Sequence, residues 1–309
     1  MGNGRKASLK ATLQSQQSRL KAKQKAAHAA EVAEQRKQIG SGKGKAPARQ
    51  MTIPFKPTDK ILLIGEGNFS FAHALLVDPP PALQHLPSAN VTATSYDSEE
   101  ECISKYPDAK EIIEGLKQRG AEVLFGIDAT KLQKYPVLKG RRWDRIVWNF
   151  PHAGKGITDQ DRNILSNQRL ILDFLRSAPH CLTLGPIPAI HSSRKRKKQG
   201  DDDSDDDLTD SDMEMPSASA TGRGTVLITL RNVAPYTAWD VPRLAKSPPK
   251  PSRMGEEPGP SYKLLRSFVF HRNVWKGYEH RMTKGERAHG QGKTGEGGED
   301  RTWEFCLRE

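Results

Sequence analysis

Three short polar stretches, each placed just after an apolar run, carry the chemistry that this chain could do. Gly65-Glu66-Gly67-Asn68-Phe69-Ser70 follows Ile61-Leu-Leu-Ile64; Asp97 follows Asn90-Val-Thr-Ala-Thr-Ser-Tyr96; Asp128 follows Ala121-Glu-Val-Leu-Phe-Gly-Ile127. Gly67 to Asp97 is 30 positions and Asp97 to Asp128 is 31, about one strand-helix unit each, so all three lie at the same rim of a parallel sheet. Glycines at a strand-to-helix turn admit unusual backbone angles and let a ligand come close to the main chain. A carboxylate ending the second strand suits both ribose hydroxyls of an adenosine, a charge-assisted pairing, and one ending the third suits the exocyclic amine of the adenine. Glu66 and the turn around Gly67 then face the amino-acid end of such a cofactor. Gly65, Glu66, Gly67, Asn68, Phe69, Ser70, Asp97 and Asp128 are therefore the candidate cofactor-binding residues. Each has a plainer alternative: a loop-closing glycine turn, a helix cap at Asp97, a turn residue at Asp128.

No Lys or Ser/Thr follows the glycines in Walker-A spacing, which argues against nucleotide triphosphate hydrolysis. An acid-lined pocket suits a cationic sulfonium cofactor, which carries no phosphate, better than a pyrophosphate. A second stretch, Asn149-Phe150-Pro151-His152, ends another apolar run, Trp143-Asp-Arg-Ile-Val-Trp148. It makes a rigid, polar, flat lip similar to the one in methyltransferases that act on nitrogen. Asn149 would accept a hydrogen bond from a target nitrogen, with Phe150 or His152 as the stacking surface. His152 could instead receive the departing proton.

These residues need a scaffold. The four apolar residues 61–64 read as a strand buried on both faces. A helix begins near Asn68 or Ser70, a second runs over 98–119 and stops at Gly120, and a third runs from about Asp159 to Ser177. Strands follow over 224–230, 262–270 and 302–307. The alternation predicts an α/β Rossmann-like fold of class I methyltransferase type, with a mostly parallel seven-stranded sheet and a C-terminal antiparallel hairpin. The domain should span 58–309, with a disordered insertion at 186–222 and loops at 245–260 and 284–300.

Charge is placed unevenly. The net charge is +12, and residues 1–50 hold 12 Lys/Arg against 2 Glu, a net of +10. That stretch reads as a basic arm and linker, disordered or transiently helical, adding salt-sensitive affinity for nucleic acid or serving only targeting. Arg194-Lys-Arg-Lys-Lys198, ahead of an acidic run, reads as either a nuclear-import signal or plain solvated charge. Three cysteines, Cys102, Cys181 and Cys306, are far apart, form no metal-ligand spacing and suggest buried thiols in a reducing compartment. No apolar run approaches membrane-spanning length, so a soluble intracellular protein is expected.

Several strings in one order carry a family resemblance: Leu-Leu-Ile-Gly-Glu-Gly-Asn-Phe-Ser-Phe (62–71), Ala-Thr-Ser-Tyr-Asp (93–97), Asn-Phe-Pro-His (149–152), Asp-Gln-Asp-Arg-Asn-Ile-Leu (159–165), Pro-Tyr-Thr-Ala-Trp (235–239) and Gly-Tyr-Glu-His-Arg-Met-Thr (277–283). The chain resembles the eukaryotic nucleolar family of large-subunit ribosomal RNA (uracil-N3) methyltransferases. The resemblance implies S-adenosylmethionine as cofactor and a uridine ring nitrogen as acceptor, with ribosomal RNA or a pre-60S particle as partner. A monomer in the nucleus and nucleolus is the matching expectation. Tyr236 and Trp239 are candidate faces for the extruded base, and His280 and Arg281 candidate ligands for substrate or phosphate. Two other readings compete, a non-catalytic RNA-binding assembly factor and an NAD(P)-dependent oxidoreductase.

Overall fold

The computed structural model describes residues 51–188, 222–250, 258–283 and 298–308. The expected basic arm (1–50), most of the insertion at 186–222, the middle of the loop at 245–260 and nearly all of the loop at 284–300 lie outside the described residues. Seven strands, β1 (Ile61–Ile64), β2 (Val91–Thr94), β3 (Glu122–Leu124), β4 (Arg145–Asn149), β5 (Thr225–Arg231), β6 (Tyr262–Val269) and β7 (Asp300–Leu307), form one sheet in the order β3-β2-β1-β4-β5-β7-β6. The first five are parallel, and β7 runs antiparallel between β5 and β6. This is the expected class I methyltransferase architecture. Strand order reverses between β1 and β4, and the crevice at that reversal is where open α/β sheets bind ligands.

Both faces of the sheet are covered, which is why the central strands are apolar at consecutive positions. Leu62, Ile64, Ile146 and Trp148 pack on one face against Ile171, Phe174 and Leu175 of α4 (Gln160–Ser177), and α5 (Val241–Lys246) adds Leu244 and Ala245. Ile61, Leu63 and Val147 face the other way, against Phe71, Ala72 and Leu75 of α1 (Ser70–Leu76). The three cysteines are buried free thiols. No helix among the described residues is long and apolar enough to cross a membrane.

One expected element divides. Residues 98–119 form two helices, α2 (Glu99–Lys105) and α3 (Ala109–Gln118), rather than one. Pro107 has no N–H to donate and holds Tyr106 at φ −128°, ψ 99°, outside the helical region. Ser98 starts α2 with a reciprocal capping box to Glu101. Trp143 falls outside β4 and pairs only through an isolated bridge to Leu182. α4 begins at Asp159, whose carboxylate accepts the Arg162 N–H at 2.8 Å. Further along the same helix, the buried Asn167 side chain accepts the Ala153 N–H at 2.8 Å, so α4 fixes the loop that follows β4.

Candidate active site

The chain leaves β1 through Gly65 at φ +64°, where a Cβ would lie 2.9 Å from Trp148 Nε1. Neither the backbone angle nor the space admits a larger residue. At Gly67 a Cβ would meet the Tyr106 ring at 3.3 Å, a tight contact, so the second glycine is favoured by close approach rather than by angle. Glu66 donates its N–H to Thr94 O at 2.8 Å, tying the turn to the end of β2. Its carboxylate turns inward and accepts the Ala72 N–H at 3.3 Å; burial pushes its pKa up to about 7 against that bond and one from Phe71.

The remaining residues of the turn are occupied in holding it. Asn68 is buried, donates to Asp108 Oδ2 at 2.8 Å and accepts the Ser70 N–H at 3.2 Å. Ser70 exchanges bonds with the Glu279 backbone, donating to its O at 3.0 Å and accepting its N–H at 3.1 Å. Phe69 departs furthest from expectation. Its backbone is left-handed at φ 61°, and its ring is fully buried against Phe125 rather than turned to a ligand. Aromatic residues rarely take that conformation, so the turn holds a strained geometry costing ~1–3 kcal/mol.

A cavity of about 790 Å³ opens where β1 and β4 diverge, within the range of cofactor sites. Its wall includes the glycine turn, Asp97, Asp128, the lip 149–155 and residues 278–281. Asp97 pairs through Oδ1 with Lys105 Nζ at 2.6 Å, and Oδ2 has no protein partner among the described residues. Asp128 lines the cavity but spends its carboxylate locally. Oδ1 accepts from the Thr130 N–H at 2.9 Å and from its hydroxyl, and Oδ2 meets Lys131 Nζ at 2.9 Å. Burial works to raise this carboxyl, but the bonds from Thr130 and Lys131 win and hold it below the usual range. The plainer reading of Asp128, a cap on the turn that follows, therefore describes its observed contacts.

The lip places the reactive edge. Asn149 ends β4, and both atoms of its side-chain amide are buried with no hydrogen-bond partner among the described residues. Buried amides are almost always satisfied, so an orphan of this kind in a cavity wall points to a ligand. Phe150 follows at φ 53°, anchored by its N–H to Thr229 O at 2.8 Å. Its ring is approached by His280 at 4.4 Å and by the Arg272 guanidinium at 5.0 Å, so it is a fixed wall more than an open stacking surface. Pro151 is buried behind it. His152 accepts the Gly154 N–H on Nδ1 at 2.9 Å, and burial lowers its pKa. That bond places the neutral ring's proton on Nε2 and occupies the lone pair on Nδ1.

Residues 278–283 cross the glycine turn as a strap, held by the Ser70–Glu279 bonds and by Tyr106 Oη donating to Met282 O at 2.9 Å. Burial and the charges of Arg272 and Arg231 push His280 down to about 3, so it is neutral and is not a cationic ligand for phosphate. Arg281 is held by Asp108 Oδ2 at 2.9 Å and Glu279 Oε2 at 3.0 Å. Tyr236 and Trp239 do not reach the cavity. Trp239 is 1% exposed, packed 5.2 Å from Tyr236 and 5.9 Å from His152, so its ring cannot receive a base as it stands. Lys105, Tyr106, Tyr278 and Glu279 line the cavity without having been singled out from sequence. Only the string 277–283 hinted at the last two.

S-adenosylmethionine fits this residue set. Gly65 and Gly67 line the cavity with bare backbone, Asp97 keeps an acceptor open for ribose, and Asn149, with its orphan amide, lines the same space.

A family model described as rRNA (uridine-N3-)-methyltransferase BTM5-like matches residues 62–282. The chain is 29% identical over 255 residues to the 25S rRNA (uridine(2634)-N(3))-methyltransferase of Saccharomyces cerevisiae, covering 76% of this chain and 69% of the yeast protein. It is 28% identical over 234 residues to heavy metal-associated isoprenylated plant protein 41 of Arabidopsis thaliana, covering 75% of this chain but only 35% of that one. Among solved structures, TehB from Haemophilus influenzae overlaps at a TM-score of 0.32 and 9% identity, over 81% of this chain and 58% of that one. So slight an overlap adds nothing to the fold that the strand order already shows.

Proposed function

We propose, since this chain belongs to the BMT5-like family of rRNA (uridine-N3-)-methyltransferases, that it methylates N3 of a uridine in large-subunit ribosomal RNA with S-adenosylmethionine as donor. One observation carries the reading: the orphan amide of Asn149, buried in the wall of the cavity that the glycine turn and Asp97 also line. The donor, when bound, supplies an electrophilic methyl group on a sulfonium. The protein's part is to hold, orient and desolvate.

Gly65 and Gly67 let the backbone approach the donor, and Asp97 Oδ2 accepts from its ribose. An amide presents an acceptor beside a donor, which matches the uracil edge: Asn149 Oδ1 accepts from N3–H while Nδ2 donates to a flanking carbonyl. Cytosine offers no N–H at that ring position, so the same pair discriminates between pyrimidines. Phe150 and Pro151 keep the amide in place, the former through its bond to Thr229. Asn149 orients N3 without taking its proton, and the His152 lone pair is engaged by Gly154, so the N3 proton would pass to water as the N3–methyl bond forms and the donor's sulfur–methyl bond breaks.

The partner follows from the substrate. Residues 1–50 carry most of the net positive charge, which supports a role in holding RNA. The cluster Arg194–Lys198 supports entry to the nucleus, and a monomeric enzyme working in the nucleolus on a pre-60S particle is the reading proposed with it. N3-methyluridine blocks Watson–Crick pairing, so reverse transcription across the ribosomal RNA should stop at one uridine in wild-type cells and read through it in a deletion strain. Unchanged stops in the deletion would refute the assignment.

A further inference from the structure

Arg281 is an unusual occupant of a cavity wall. Its side chain is 8% exposed, and Nη2 is shared between Asp108 and Glu279 at 2.9 and 3.0 Å. Nε is buried with no partner among the described residues, and so is Asp108 Oδ1 beside it. Asp108 Oδ2, which holds Nη2, also accepts from Asn68 Nδ2 at 2.8 Å, so the guanidinium sits beside the glycine turn. The strap that carries it is tied on both sides, through Ser70 and Tyr106. A buried N–H that forgoes a hydrogen bond costs ~1–3 kcal/mol, so the arrangement is incomplete without a ligand.

We propose that Arg281 recognises the α-carboxylate of the methyl donor, with Asp108 and Glu279 holding the guanidinium in register. The proposal rests on the S-adenosylmethionine reading of the cavity. A guanidinium is a planar fork that matches a carboxylate, and its burial beside the glycine turn suits a small ligand group rather than an RNA phosphate with its attached chain. The strap thereby does for the amino-acid end what Asp97 does for the ribose.

Calorimetry with S-adenosylmethionine and its decarboxylated analogue tests this on wild-type protein and on Arg281→Gln. The analogue keeps the sulfonium and the amine and lacks only the carboxylate. Wild-type protein should bind the analogue roughly ten- to a hundredfold more weakly than S-adenosylmethionine. Arg281→Gln should weaken S-adenosylmethionine by a similar factor and bring the two ligands to nearly equal affinity. Equal binding of both ligands by wild-type protein overturns the proposal, and this arm stands even if the variant fails to fold. Equal weakening of both ligands by Arg281→Gln also overturns it, because Arg281 would then only brace the strap. Wild-type protein that is folded but binds neither ligand removes the cofactor reading itself.

Discussion

Replacing Asn149 with leucine should make the protein more stable and less active at once. The amide is buried, and neither of its polar atoms finds a hydrogen bond among the described residues. Leucine has nearly the same shape, so the change removes unsatisfied groups without opening a large cavity. One such group costs ~1–3 kcal/mol, and a domain of this size shifts its melting temperature by ~2–4 °C per kcal/mol, so a rise of roughly 2–12 °C is expected. The same change removes the groups that orient the target nitrogen, for which a loss on the order of 10²-fold or more in kcat/KM is expected. Thermal melts and initial rates on one preparation decide the matter. A lower melting temperature with turnover intact would refute the reasoning, because the amide would then have partners in the free protein and no task in the reaction.

Other perturbations have equally definite outcomes. Asp97→Ala removes the open acceptor at the end of β2 and should weaken S-adenosylmethionine by roughly ten- to a hundredfold in calorimetry, with the fold intact by circular dichroism. Gly65→Ala places a side chain at φ +64° and 2.9 Å from Trp148 Nε1. It should cost at least ~1–2 kcal/mol in denaturant melts and disturb donor binding. Glu66 has its carboxyl raised from 4.5 to about 7, so folding retains a proton that the unfolded chain gives up. Its contribution is full below pH 4.5 and is lost as pH rises through 7, on the order of 3 kcal/mol. Glu66→Gln should therefore exceed wild type in stability at pH 8 and not at pH 4.5, read from urea midpoints. Deleting residues 1–49, where most of the net charge lies, should flatten the dependence of RNA affinity on salt.

The first strands were legible because they are short, largely apolar and evenly spaced, and the chain leaves each on polar residues at the same rim. The glycine turn and the Asn149 lip were legible for the same reason, as polar stretches that follow buried apolar runs. Helix α4 announced itself by a capping aspartate and an apolar stripe. What was missed depended on contacts distant in sequence. Pro107 should have signalled the break between α2 and α3, but the charged, helix-favouring residues around it masked it. Nothing periodic marks residues 278–283, because backbone groups of Glu279 and Met282 hold them to Ser70 and Tyr106. Local hydrogen bonding explains Asp128, where Thr130 and Lys131 compete for the carboxylate. Membership of the glycine turn misplaced Phe69, and aromatic identity misplaced Trp239; both side chains serve the core and not the cavity.

Transfer of a labelled methyl group is the most direct measurement. Full-length protein, labelled S-adenosylmethionine and large-subunit ribosomal RNA, either naked or within pre-60S particles, should yield label that co-elutes with N3-methyluridine after digestion to nucleosides. The Asn149→Leu protein should yield almost none. Label absent from uridine with the folded wild-type protein on both substrates, or found on another base, would contradict the account.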